Sequence, residues 1–293
     1  MKFALCSQDR AAAFELPAPI SCSLLRDGEA PATQLTAQFP WSKNLPELPW
    51  LCISDSGTEV FAGPIDQVQE SMGATAVCTI AARSPAALLL DSEALPGTYQ
   101  DPDLGTLFRT HAAPYGFSGI TGDMRSFSGT YTVAKGASEW TALDGFCKTF
   151  LGVPLREEDG QLLAVPQTFD APLVIGRGGL ACQQLCRTRS PYRLLSSVWE
   201  KGEDGWVEAA TDLNATKQGI VRRRLCKDPS TALETAQKNA MAVTVLLPGR
   251  VLAQPNAPAV LRQAERSRDM VVTAVRWSLS RQGETTRLSL RPI

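Results

Sequence analysis

Any chemistry performed by this chain of 293 residues has to pass through a single histidine, His111. Catalytic triads, His-rich zinc sites and imidazole proton shuttles would all have to be built around that one ring. The nearest acids in sequence are Asp101 and Asp103, either of which could orient an imidazole acting as a general base. Asp103 has a competing structural use, because an aspartate just ahead of Leu104, Leu107 and Phe108 caps a helix. A second acidic group, Glu157-Glu158-Asp159, precedes Gly160 and reads as a polar turn. Neither set has a spacing that defines a paired-carboxylate site. The sequence therefore predicts no catalytic residue, no metal site and no cofactor.

Cysteine supplies the other reactive group. The eight are Cys6, Cys22, Cys52, Cys78, Cys147, Cys182, Cys186 and Cys226. None forms a CxxC pair, and the closest two, Cys182 and Cys186, are spaced for successive turns of a helix or for a loop. Most have apolar neighbours, as in Ala76-Val77-Cys78-Thr79-Ile80. They are predicted to be reduced, small core residues of a chain folded in a reducing cytoplasm. No apolar run follows Met1-Lys2-Phe3-Ala4-Leu5, and no stretch reaches a membrane-spanning length, so a soluble product without membrane insertion is expected. With 29 basic and 30 acidic side chains the formal charge is -1, and the totals show no basic excess for nucleic acid.

The elements that hold these residues fall into three blocks. Residues 1–83 alternate apolar and polar between turn signals, as in Gln34-Leu35-Thr36-Ala37-Gln38-Phe39, and read as strands without a helix. Residues 84–160 change character. Ser84-Pro85 starts one helix, with Ser84 as N-cap and Pro85 in the first turn, Asp103 caps a second that Pro114 stops, and a third begins near Ser138. The third carries Trp140, Leu143, Phe146, Cys147, Phe150 and Leu151 at helical period. Residues 161–293 return to strands, with one helix predicted from Ser230 to Ala242 and Ser230 as its cap. Arg222-Arg223-Arg224 reads as a solvated strand or loop face.

The first and last blocks echo each other. At a constant offset of 210, Leu51 falls on Leu261, Val60-Phe61-Ala62 on Met270-Val271-Val272, Gly73 on Gly283 and Ile80 on Leu290. Two similar β-barrels separated by an α/β insert would give this pattern.

The middle block carries a resemblance. Ala81-Ala82-Arg83-Ser84 with Leu88-Leu89-Leu90-Asp91 is similar to the "GRS…LVDCSA" element of baseplate hub proteins from contractile phage tails. That family takes in the Mu-like hub, the late-control D protein and the hub part of type VI secretion spikes. Tyr115-Gly116-Phe117 resembles the family's "fGi". Gly136, Ser138 and Trp140 resemble its "G-x-S-x-W", and Thr285-Thr286 its closing "tTtLeL". The likeness covers roughly residues 50 to 160 and 230 to 293, carried by order and spacing more than by any one element.

The resemblance implies an α+β, mostly β chain. Two similar tube-type β-barrel domains, 1–83 and 161–293, would flank a small α/β domain, 84–160. It implies a homotrimer whose six barrels form a pseudo-hexameric ring, joining the tail tube protein to a trimeric central spike protein. The tape-measure protein and baseplate wedge proteins would be further partners. DNA or an effector would pass through without specific binding, and the product would sit in the virion tail or baseplate after assembly in the host cytoplasm. On this reading Arg83, Ser84, Asp91, Tyr115, Gly116, Phe117, Gly136, Ser138, Trp140, Thr285 and Thr286 hold the fold. Arg83 and Asp91 would form an ion pair, and Trp140 would anchor a core. Arg222, Arg223 and Arg224 would face a protein partner or solvent, away from a lumen that must not hold phosphate. The chain is shorter than many hubs and has no fused spike, so a separate spike protein is implied. An alternative from another class is a receptor- or glycan-binding protein of a siphophage-like tail tip, with Trp199 and Trp206 as sugar-stacking faces.

Overall fold

The computed structural model describes residues 1–41, 45–73, 76–226, 229–263 and 266–293, without the side chains of residues 229, 230 and 266. The chain is mostly β and divides into two compact units. The first holds Met1–Thr168 and Ser278–Gly283, the second Phe169–Trp277 and Glu284–Ile293.

The first unit opens with seven strands: β1 (Lys2–Cys6), β2 (Ala12–Leu16), β3 (Ser21–Asp27), β4 (Gln34–Pro40), β5 (Trp50–Asp55), β6 (Thr58–Ser71) and β7 (Val77–Arg83). They are ordered β3-β4-β7-β6-β5-β1-β2, every pair antiparallel. Alternation in β4 sends Leu35, Ala37 and Phe39 inward, beside Cys78, Ile80 and Ala82 of β7. Where the alternation suggests separate runs on either side of Ile65, the structure has the single 14-residue strand β6, irregular only between Ile65 and Gln67.

The insert follows as α1 (Ala86–Asp91), β8 (Gly97–Gln100), α2 (Leu104–His111), β9 (Ile120–Gly122), β10 (Thr130–Val133), α3 (Glu139–Phe146), β11 (Arg156–Glu158) and β12 (Gln161–Ala164). Its core joins Leu89, Leu104, Leu107, Trp140, Leu143, Phe146 and Leu162. One apolar side chain of this size contributes about 1.5–3 kcal/mol on burial. The start of α1 departs from expectation. The cap position is Pro85, and the Ser84 hydroxyl accepts from the Thr33 N–H instead of capping the helix.

The second unit contains β13 (Leu173–Gly176), β14 (Gln184–Arg189), β15 (Ser197–Gly202), β16 (Gly205–Thr211), α4 (Leu213–Lys217), β17 (Arg223–Leu225) and α5 (Pro229–Asn239). Strands β18 (Met241–Pro248), β19 (Pro258–Gln263), β20 (Arg266–Ser280) and β21 (Gly283–Pro292) complete it, the β20–β21 tip lying in the first unit. The main sheet runs β14-β18-β21-β20-β19-β13. Helix α5 ends at Asn239 rather than Ala242, because Met241 and Ala242 already pair with β14. The Ser230 cap lies outside the described side chains. Helix α4, absent from the sequence reading, is a single turn capped by Asp212.

The echo is present in both sheets, at a corrected offset. Leu35 opposes Ala82 in one, and Val243 opposes Leu290 in the other, each residue moved on by 208. The same shift carries the bounds of β5 onto those of β19 and the start of β6 onto that of β20. In chain order, β3, β4, β5, β6 and β7 correspond to β14, β18, β19, β20 and β21.

Candidate functional site

The site that the sequence could not locate lies inside the insert, around the lone histidine. His111 ends α2, whose N-cap Asp103 accepts from the Thr106 N–H at 2.8 Å. The ring is 1% exposed. Its Nδ1 lies 2.5 Å from Glu139 Oε2, and its Nε2 lies 2.8 Å from the Tyr99 hydroxyl. Tyr115 donates to the other Glu139 oxygen at 3.1 Å. Because a carboxylate only accepts, Nδ1 donates to Glu139, and Nε2 of a neutral ring accepts from Tyr99. Neither acid proposed beside His111 is its partner. Asp103 is spent on its cap, and Asp101 accepts from the Gly129 N–H at 3.0 Å.

Carboxylate, imidazole and phenol in line are the parts of a proton relay. The buried carboxylate and ring are instead placed to join elements: β8 through Tyr99, α2 through His111, the turn Ala113–Tyr115, and α3 through Glu139. Among the described residues no group of three His, Cys, Asp or Glu side chains is placed to hold a metal ion. Glu139 and Tyr99 were missed from sequence. A usable signal existed for Glu139, since positions 139, 143 and 146 share one helical face and two of them are apolar.

A second polar cluster sits at the end of β7. The Arg83 guanidinium donates through Nε and Nη2 to the two Asp66 oxygens, both at 2.8 Å, and through Nη2 to Asp91 Oδ2 at 2.5 Å. Asp66 is a partner that no local pattern of residues announces. The guanidinium holds the Asp91 carboxyl below its ordinary range. Next to it Ser84 is buried and bonds to Glu157 as well as to Thr33. Burial pushes the Glu157 carboxyl above its ordinary range. Glu157 also accepts from the Gly160 N–H at 2.6 Å; Glu157 and Glu158 are paired residues of β11, and only Asp159 of the acidic run lies in the β11–β12 turn.

The remaining motif residues are dispersed. Phe117 and Trp140 are in or against the insert core, and Ser138 caps α3 by accepting from the Thr141 N–H at 3.1 Å. Gly116 and Gly136 have φ of 88° and 86°, where a Cβ is strained. Gly136 N–H also donates to Glu93. Thr286, in the second unit, is fully buried and clamps a turn, donating to Gly249 O at 2.8 Å and accepting from Val251 N–H at 2.9 Å. Thr285, beside it, opposes Pro248 across the β18–β21 pair.

Cys6, Cys22, Cys78 and Cys147 are buried, and burial pushes the Cys22 and Cys147 thiols up to about 12. Cys182 and Cys186 depart from the core expectation. Both are exposed, and Cys186 is on strand β14 rather than a helix. Trp199 has one face against the Arg223 guanidinium, 5.0 Å from the ring centre, while Trp206 is 48% exposed. Arg222, Arg223 and Arg224 are all exposed, the last two on β17, which runs parallel to β15. No helix of the described residues is long and apolar enough to cross a membrane.

Two sets of five corresponding strands in matching order, with a helical insert after the first, define a fold already seen in solved tail proteins. The 43 kDa tail protein of prophage MuSo2 from Shewanella oneidensis matches with a TM-score of 0.75 at 14% identity, over 99% of this chain and 97% of that one. A tail protein of Neisseria meningitidis MC58 matches with a TM-score of 0.71 at 16% identity, over 99% and 96%. An E. coli component of the type VI secretion system matches with a TM-score of 0.57 at 10% identity, over 94% and 73%. Its description likens it to the T4 tail proteins gp27 and gp5. No family model and no curated protein matches the sequence. The chain has the phage tail-protein fold, and its structural neighbours agree with the hub resemblance carried by residues 50 to 160 and 230 to 293.

Proposed function

We propose that this chain is a structural hub of a phage tail or phage-like contractile injection particle. The observation that carries the reading is the fold match to tail proteins over 99% of the chain. The repeated sheet gives it a geometric purpose. Two like sheets per chain, each closed into a barrel, give six barrels in a homotrimer, and six barrels meet a sixfold tube on one face and a threefold spike on the other. On this reading the work is done by shape and symmetry, without catalysis. The partners are the tail tube protein, a central spike protein, the tape-measure protein and baseplate wedge proteins. The product belongs in the virion tail, and the exposed Arg222, Arg223 and Arg224 face solvent or protein, not the passing DNA.

The test is the solution mass of the purified chain by light scattering, alone and with the spike protein encoded beside it. The expected mass is three times the 31.6 kDa chain. A chain that stays monomeric alone and with the spike overturns the reading.

A further inference from the structure

Strand β14 ends its sheet, with β18 on one side and no strand on the other among the described residues. Arg189 opposes Met241, so Ser190 opposes Ala240, and the Ser190 N–H donates to Ala240 O. Antiparallel pairing alternates, so Thr188 and Cys186 also turn their N–H groups toward β18, whereas Leu185, Arg187 and Arg189 turn theirs outward. The edge is thus a row of open donors and acceptors. It is also basic. Arg187 and Arg189 bond to the amide oxygens of Gln263 and Gln218, which bring no negative charge.

Strand β6 has the complementary form. Strand β5 covers it only as far as Pro64, so among the described residues 67–71 pair with β7 alone, and residues 66–71 are all exposed. Val68 opposes Ile80, and Glu70 opposes Cys78. Opposed residues share a face, so Val68 and Glu70 stand on the core face of the sheet. Yet Val68 is 50% exposed, whereas Ile80 is 1% exposed. The arm therefore carries the core face beyond the core that should cover it.

The repeat shows how such an arm and edge are used. The counterpart of β14 is β3, and the counterpart of β6 is β20. Within the first unit β3 is not left open. Strand β20, whose end belongs to that unit, is its neighbour in the strand order. Among the described residues the equivalent place beside β14 is empty, and the equivalent strand, β6, has only β7 as a partner along its arm.

We propose that the β6 arm of one chain pairs with the β14 edge of a second copy. The proposal rests on the homotrimer reading and names its contact. On β14, Leu185 and Arg187 oppose the buried Val245 and Val243, so they too are on the core face. Antiparallel pairing that sets Glu70 against Arg187 also sets Val68 against Arg189, on one continuous face. Arm and edge are different surfaces in different units, so the contact is head-to-tail, and three such contacts close the ring.

Three variants of the full chain test this by light scattering, with circular dichroism to show the fold. Glu70→Arg, and Arg187→Glu combined with Arg189→Glu, should each turn a trimer into a monomer, and all three changes together should restore the trimer. Arg187→Pro removes one outward N–H and leaves the β14–β18 bonds in place, so it should also give a monomer. An equal mixture of the Glu70→Arg and Arg187→Pro chains should form a dimer, because only one intact arm meets one intact edge. A trimeric wild type whose single variants stay trimeric overturns the pairing and leaves the trimer reading standing. Combined charge changes that stay monomeric also overturn the pairing. A wild type that stays monomeric both alone and with the spike protein overturns both.

Discussion

The two sets of five strands agree where pairing decides and differ where loops decide. Over residues 34–83 and 242–291 the strands and connections coincide, down to the nine residues between the second and third strands, and so does the register of β4–β7 and β18–β21, while the bulge that shifts β5 against β6 after Ile53 has no counterpart between β19 and β20. Ahead of that stretch they diverge. The first sheet joins β3 to β4 through residues 28–33, whereas the second joins β14 to β18 through residues 190–240, a module with its own sheet and helices. The paired arginines differ as well. Arg83 is held by two aspartates, while its counterpart Arg291 donates to Asn239 and, among the described residues, has no partner for its buried Nε. Register is thus fixed by the inward alternation, and the polar contacts are free to change.

The strongest test of that equivalence is paired truncation. Ile80→Ala and its counterpart Leu288→Ala each empty a fully buried position. Each should cost about 2–5 kcal/mol in urea unfolding. Costs that differ by more than about 2 kcal/mol would break the comparison, given the ordinary spread for one type of truncation.

The insert lies outside the repeated strands, and its buried network should tie its elements together. Glu139→Ala strands His111 and the Tyr115 hydroxyl in the core, and should cost about 3–5 kcal/mol. Glu139→Gln, which keeps the shape and an acceptor, should cost less. Thermal unfolding of the three proteins measures both, and equal losses would refute the network as a tie between elements.

A smaller effect compares the two aspartate caps, Asp103 in the first unit and Asp212 in the second. Each change to Ala should cost about 1 kcal/mol at neutral pH. Hydrogen bonds lower both carboxyls, from Thr106 for Asp103 and from Gln237 for Asp212. A lowered folded value means that the stabilisation is complete above the unfolded value of about 3.9 and fades as pH falls through the folded one. Denaturation at neutral pH and near pH 3 should therefore show the penalty shrinking in acid.

The smallest effect separates the arginines. Arg83→Leu should cost about 1 kcal/mol or less, screened by salt, since its partners are partly exposed. Arg291→Leu should be neutral or slightly stabilising, because it removes an unpaired buried donor.

Strands, insert and repeat were legible in the sequence because alternation and helical period are local. The offset was not. Side chains alternate with period two, so a slip from 208 to 210 returns every apolar position to the same face, and only strand pairing distinguishes them. Ser84 next to Pro85 looked like a cap, but its hydroxyl was claimed by Thr33, 51 positions away. Asp66, Tyr99 and Glu139 escaped for the same reason: a polar partner is chosen by the folded geometry, and nothing in its own neighbourhood announces it.

The spacing of the repeats also has a consequence in time. Near-identical pairing rules in one chain invite a strand of one copy to take the place of its twin. Synthesis at about 5–20 residues per second delivers the second copy roughly 10–40 s after the first. Sheets of this kind form in about milliseconds to seconds. By the time β18 leaves the ribosome, β4 has already found β7, and the delay between the two copies sorts what their registers alone would leave ambiguous.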